Sequence, residues 1–135
     1  MKLETLQDEL TEDLKIDHTK LQYEASQVPT LYGKWSRYHS TIRKEMLKVE
    51  NMKKTALKST LDYYTGRGEE ACMDQYEKSE MKVVIAANAD VIKVETSLQY
   101  WGILLEFCSK AIDAVKAKGF AIKHVIDLRA FEAGA

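Results

Sequence analysis

The run LKSTLDYYTGRG, residues 57–68, sets a lysine, two adjacent tyrosines and an arginine between two glycines. Lysine and arginine neutralise phosphates, an aromatic face receives a base, and glycine lets the backbone come close to an anion. Lys58, Tyr63 and Arg67 would therefore suit a ligand that both stacks and carries phosphate. The competing account is a helix C-terminus with an ordinary glycine stop. Neighbours on a helix point about 100° apart, so Tyr63 and Tyr64 cannot offer faces to the same ligand. Tyr64 falls on the apolar side and is expected in the core, which leaves Tyr63 as the stacking candidate.

Charge distribution favours the ligand. Residues 34–67 hold nine lysines and arginines against three acidic groups, while the rest of the chain is acidic and the net charge is −1. Positive charge gathered into one element is the footprint of a polyanion or of an acidic protein partner. Arg37, Lys44, Lys48, Lys54 and Lys58 extend the patch back from Arg67. Free stacking of bases favours single strands over duplex. A solvated helix face, or a scaffold whose basic face binds an acidic protein, remains the alternative.

Catalytic chemistry finds less support. The chain contains no GxxxxGK[ST] phosphate loop and no GxSxG elbow, and GRG is too short for a dinucleotide turn. His18, His39 and His124 are scattered, without a second ligand at metal-binding spacing. Glu69, Glu70, Glu77 and Glu80 read as a solvated acidic face. No cofactor or metal is expected, and a small helical enzyme would lack a nucleophile or proton donor. No apolar run approaches the roughly 18 residues a membrane span needs, and MKLETLQDEL is too acidic for a secretory signal. Cys72 and Cys108 are expected as reduced thiols in a cytoplasm.

The elements that must position these residues are helices. One proline and six glycines in 135 residues leave few breakers. The expected fold is all-α, an elongated helical protomer with one long basic amphipathic helix, forming a single domain over residues 1–135. Leu3, Leu6, Leu10 and Leu14 predict a helix over 2–14. Asp17 is the expected N-cap of a second helix carrying Leu21, Ala25 and Val28, and Pro29 would end it or open the next. A third, from Thr30 to about Tyr64, would be roughly 50 Å long. Trp35, Tyr38, Ile42, Met46, Val49, Met52 and Ala56 form its apolar side. Lys53 also falls there, so it should snorkel or pair with a carboxylate.

A shorter helix is expected over 71–87, then a turn at Asn88–Asp90, where a strand remains possible. Asp90 or Thr96 would cap a helix reaching residue 118, and Gly119 would end or kink it. The last helix is apolar over a wide arc formed by Phe120, Ile122, Val125, Ile126, Leu128 and Phe131. Surplus apolar face of this kind signals self-association, against a compact bundle that hides it.

The residues also resemble a known family. LKSTLDYYTGRG is similar to a segment of the UvsY recombination mediators of T4-like bacteriophages. KLQYEA (20–25), HSTIRKEML (39–47), YEKSEMK (76–82), TSLQYWGILLEFCS (96–109) and GFAIKHVIDLRAFEAG (119–134) match in order. The resemblance implies a non-enzymatic protein of the infected bacterium's cytoplasm that binds single-stranded DNA. It implies that the protein loosens the phage single-strand-binding protein coat and loads a RecA-like phage recombinase. It further implies a homo-oligomer, a ring or open barrel of six or seven subunits. Lys58 matches the family's DNA-contacting lysine, whereas Thr60 stands where the family carries an arginine.

Overall fold

A computed structural model describes residues 1–68 and 74–134. Within them the regular structure is four helices: α1 (Leu3–Leu14), α2 (Leu21–Tyr64), α3 (Lys78–Ala86) and α4 (Ala89–Glu132). No described helix is long and apolar enough to cross a membrane. The residues divide into two compact units, one of 1–41 with 104–135 and one of 42–103.

The first unit packs α1 and the early part of α2 against the late part of α4. Leu104, Cys108, Ala111, Val115, Lys118 and Ile122 are its buried α4 positions. They recur at alternating four- and three-residue intervals, the spacing of a coiled-coil seam. Leu21, Val28 and Trp35 answer them at seven-residue steps on α2. Trp35 is fully buried, edge-on to Tyr38 at 5.2 Å and to Phe107 at 6.0 Å. Its Nε1 donates to Asp13 at 2.9 Å. Lys34 pairs with the same Asp13 and, at 3.2 Å, with Glu9, which also accepts from the Tyr38 hydroxyl at 2.9 Å. Burial pulls the Lys34 ammonium down, but the hydrogen bonds and charges of Asp13 and Glu9 outweigh it and leave its pKa raised.

Two expected breaks are absent. Pro29 lies inside α2, where it cannot donate to the carbonyl of Ala25. Both residues are exposed, so water can satisfy that carbonyl and the helix continues. Gly119 lies inside α4, and a Cβ there would sit 3.4 Å from Val28 Cγ1. Its small size serves a close approach of α4 to α2, where a helix stop was expected. Nor does Asp17 cap α2. Its carboxylate accepts from the Thr19 amide at 2.9 Å and hydroxyl at 2.6 Å, building the turn ahead of the helix. The Thr19 hydroxyl, followed by its amide, lowers the Asp17 pKa. Arg129 then ties the turn down by donating to the His18 carbonyl at 2.8 Å.

Lys118 is buried in the seam, donating to the Asp13 carbonyl at 2.8 Å and pairing with Glu24 at 3.2 Å. Cys108 is a fully buried thiol whose pKa burial pushes up to about 11, so it stays protonated at neutral pH. Cys72 lies outside the described residues.

The second unit holds the rest of α2, α3 and the start of α4 around Ile42, Val49, Thr60 and Val91, all buried. Asn88 caps α4, its side-chain oxygen accepting the amides of Asp90 at 2.9 Å and Val91 at 3.4 Å. Thus the cap is neither Asp90 nor Thr96, and the Asn88–Asp90 segment forms no strand. α3 starts at Lys78, so residues 74–77 are not helical, and residues 71–73 of the expected helix lie outside the described set.

Candidate nucleic-acid interface

The cationic residues of α2 divide by environment. In the second unit Arg43, Lys44, Lys48, Lys54 and Lys58 are exposed, and Arg67 follows just beyond the helix. Lys53 is instead half-buried and pairs with Glu95 at 3.2 Å, as its place on the apolar side predicts. In the first unit Lys34 is held in the Asp13–Glu9 cluster, while Arg37 is exposed. Two of the surface lysines have partners within one helical turn: Lys48 with Glu45 at 3.2 Å and Lys58 with Asp62 at 2.8 Å. Such exposed pairs are worth only about 0.3–0.5 kcal/mol, so a phosphate can displace the carboxylate at little cost. Arg37, Arg43, Lys44, Lys54 and Arg67 form no ion pair among the described residues.

The GRG segment is a helix stop. Gly66 adopts φ 77°, a left-handed conformation that glycine tolerates. Its amide donates to the Tyr63 carbonyl at 3.3 Å and that of Arg67 to the Asp62 carbonyl at 2.8 Å, the paired bonds of a Schellman motif. The Gly68 amide also donates to Asp62, at 3.0 Å. With these amides committed to α2, the backbone here is not free to cradle a phosphate, and recognition falls to side chains.

The tyrosines separate as the helix geometry requires. Tyr63 is exposed, while Tyr64 is half-buried and edge-on both to Tyr63 at 5.0 Å and to Tyr76 at 5.9 Å. Tyr76 had no sequence signal. Thr60 is 6% exposed and lies on the buried side of α2, about 200° around from Lys58. It is not part of the basic face. Met52, expected in the core, is 58% exposed.

Of the cavities beside α2 in this unit, two share lining residues. One, of about 720 Å³, is lined by Ser59, Thr60, Tyr63, Tyr64, Gly68, Asn88 and Asp90. The other, of about 540 Å³, runs from Lys48 past Asn51, Met52 and Thr55 to the same Ser59, Thr60 and Asp90. Among the described residues no group of histidines, cysteines and carboxylates could hold a metal ion. Glu77 and Glu80 are exposed, whereas Glu69 and Glu70 lie outside the described residues.

The expected association residues also part company. Phe120, Ile126 and Phe131 are exposed, together with Leu128, and Phe131 reaches 77%. Val125 is half-buried. Ile122, at 2% exposure, occupies the chain's own seam on α4 and is unavailable to another subunit.

Comparison with known proteins gives a consistent result. The family model described as "Recombination, repair and ssDNA binding protein UvsY" matches residues 9–135. The recombination protein uvsY of Enterobacteria phage T4 is 64% identical over 136 residues, covering 99% of each chain. A crystal structure of the bacteriophage T4 recombination mediator protein UvsY, in lattice type II, superposes with a TM-score of 0.93 at 64% identity, covering 98% of both chains. The same protein in lattice type IV gives a TM-score of 0.93 at 61% identity, covering 97% of this chain and 99% of that one.

Proposed function

The chain belongs to the UvsY family of recombination, repair and single-stranded-DNA-binding proteins, and from that premise we propose how it holds DNA and what it does there. It is a recombination mediator that binds single-stranded DNA. The phosphates lie along Arg43, Lys44, Lys48, Lys54 and Lys58 of the second unit, with Arg67 as an outlying contact, and Arg37 of the first unit is a separate candidate contact. The observation that carries this placement is the set of exposed cations along α2 and just beyond it, of which Arg43, Lys44, Lys54 and Arg67 form no ion pair among the described residues and Lys48 and Lys58 form only weak surface pairs.

Residues 1–135 act as one mediator domain. Bound to the strand, it loosens the coat of the phage single-strand-binding protein and loads a RecA-like phage recombinase, in the cytoplasm of the infected bacterium. Each step is a difference in binding free energy between states of the strand, so no bond is made or broken and no catalytic residue is assigned. Weak contacts per subunit suffice when subunits are linked, because each further contact becomes intramolecular. The subunits join through Phe120, Ile126, Leu128 and Phe131 into a ring or open barrel of six or seven.

A titration with a fluorescent single-stranded oligonucleotide at several salt concentrations tests the DNA contact. Log K should fall with log[salt] by roughly 0.7 per phosphate neutralised. Absence of binding at low salt would leave the basic face to an acidic protein partner.

Association has its own test. Replacing Ile126 and Phe131 by Asp should reduce the assembly to small species in sedimentation velocity with helicity unchanged, since both side chains are exposed. An assembly of unaltered size would place the interface elsewhere.

A further inference from the structure

Phosphate contacts alone leave the groove beside α2 without a role. Lys48, Met52, Thr55, Ser59 and Tyr63 follow one another at three- and four-residue steps, so they form one wall along a single flank of the helix. That wall is about 22 Å long. Asp90 and Val94, one turn apart on α4, face it across the 540 Å³ cavity. The 720 Å³ cavity continues it past Asn88 to Tyr63, and Ser59, Thr60 and Asp90 line both.

We propose that this groove seats nucleobases of the bound strand while its phosphates rest on Lys44 and Lys48. The inference rests on the single-strand reading above. Its chemistry suits a base. Met52, Ala56 and Val94 offer apolar surface to a ring face. Asn51, Ser59 and Asp90 offer donors and acceptors to ring edges without favouring one base. Lys48 lines the groove itself, so the cation that would hold a phosphate stands beside the space that would hold its base. Tyr63 closes the far end with an aromatic ring. An apolar helix from a second copy would fit poorly, because it would bury the hydroxyls, the amide and the carboxylate without partners.

The test compares two oligonucleotides of equal length and charge: one with all its bases, the other with abasic spacers on the same phosphodiester backbone. At fixed salt the full-length chain should bind the intact strand at least about tenfold more tightly, in line with stacking effects per base. Ser59→Leu, which fills the groove, should bring the intact strand down to the abasic level. Thr55→Leu, on the exposed wall, is a second filler should the first disturb the fold, which circular dichroism would reveal. Equal affinity of the wild-type chain for both strands, with steep salt dependence, would overturn the groove as a base site and leave the phosphate reading standing. Failure to bind either strand would overturn both readings. A filler that changed the sedimenting species but not the preference for bases would make the groove a contact between copies, and that too would overturn the proposal.

Discussion

Replacing Lys44, Lys48, Lys54 and Lys58 together by alanine should abolish most single-strand binding while leaving the helix intact. All four are exposed, and alanine has the highest helix propensity, so α2 gains locally what it loses in two weak surface pairs. If each lysine neutralises one phosphate, the magnitude of the salt slope falls by about 3 for every subunit the strand touches. Affinity at low salt should drop more than about 100-fold. Lys53→Ala is the control. Its ammonium is engaged with Glu95, so it should lower stability slightly and leave the slope unchanged. A quadruple variant with the wild-type slope would move the strand off α2.

The largest expected effect on stability belongs to Trp35→Ala. The indole is fully buried, touches two aromatic rings edge-on and donates to Asp13. Removal of a buried tryptophan costs roughly 3–5 kcal/mol. The midpoint of thermal unfolding, followed by circular dichroism at fixed protein concentration, should fall by on the order of 10 °C. Trp35→Phe keeps an aromatic ring, and Lys34 continues to hold Asp13, so it should cost less than half as much. Equal losses for the two variants would mean that the hydrogen bond to Asp13, and not the packed ring, dominates.

Much of the helical fold was legible because apolar spacing is local. α1 is predicted to within a residue or so, and the apolar side of α2 correctly placed Trp35, Ile42, Val49 and the pairing of Lys53. The errors come from partners distant in sequence. Pro29 and Gly119 look like breaks until their surroundings are seen: an exposed Ala25 one turn before the proline in one case, Val28 against Gly119 in the other. Ile122 looked like surplus apolar surface because the wide arc of the last helix hides a narrower seam within it. Where the related segment carries an arginine this chain has Thr60, and helix rotation turns that side chain inward. The groove itself was illegible, since it needs Asn88 and Asp90 brought alongside Ser59 from about thirty residues away.

Lys118 carries a consequence beyond its hydrogen bonds. The first unit's seam repeats every seven residues, with Leu21, Val28 and Trp35 on one helix and Leu104, Ala111 and Lys118 on the other. A repeating apolar pattern is degenerate: sliding one helix past its neighbour by seven residues would still put greasy side chains together. The buried ammonium breaks that degeneracy. In the observed alignment it finds Glu24 and the Asp13 carbonyl. Shifted by a heptad along α2, it would meet Leu31 in place of Glu24 and lie charged in an apolar layer, with Glu24 stranded as well. An unpaired buried ion is strongly unfavourable. One polar pair thus works as a detent that selects a single phase of a periodic interface.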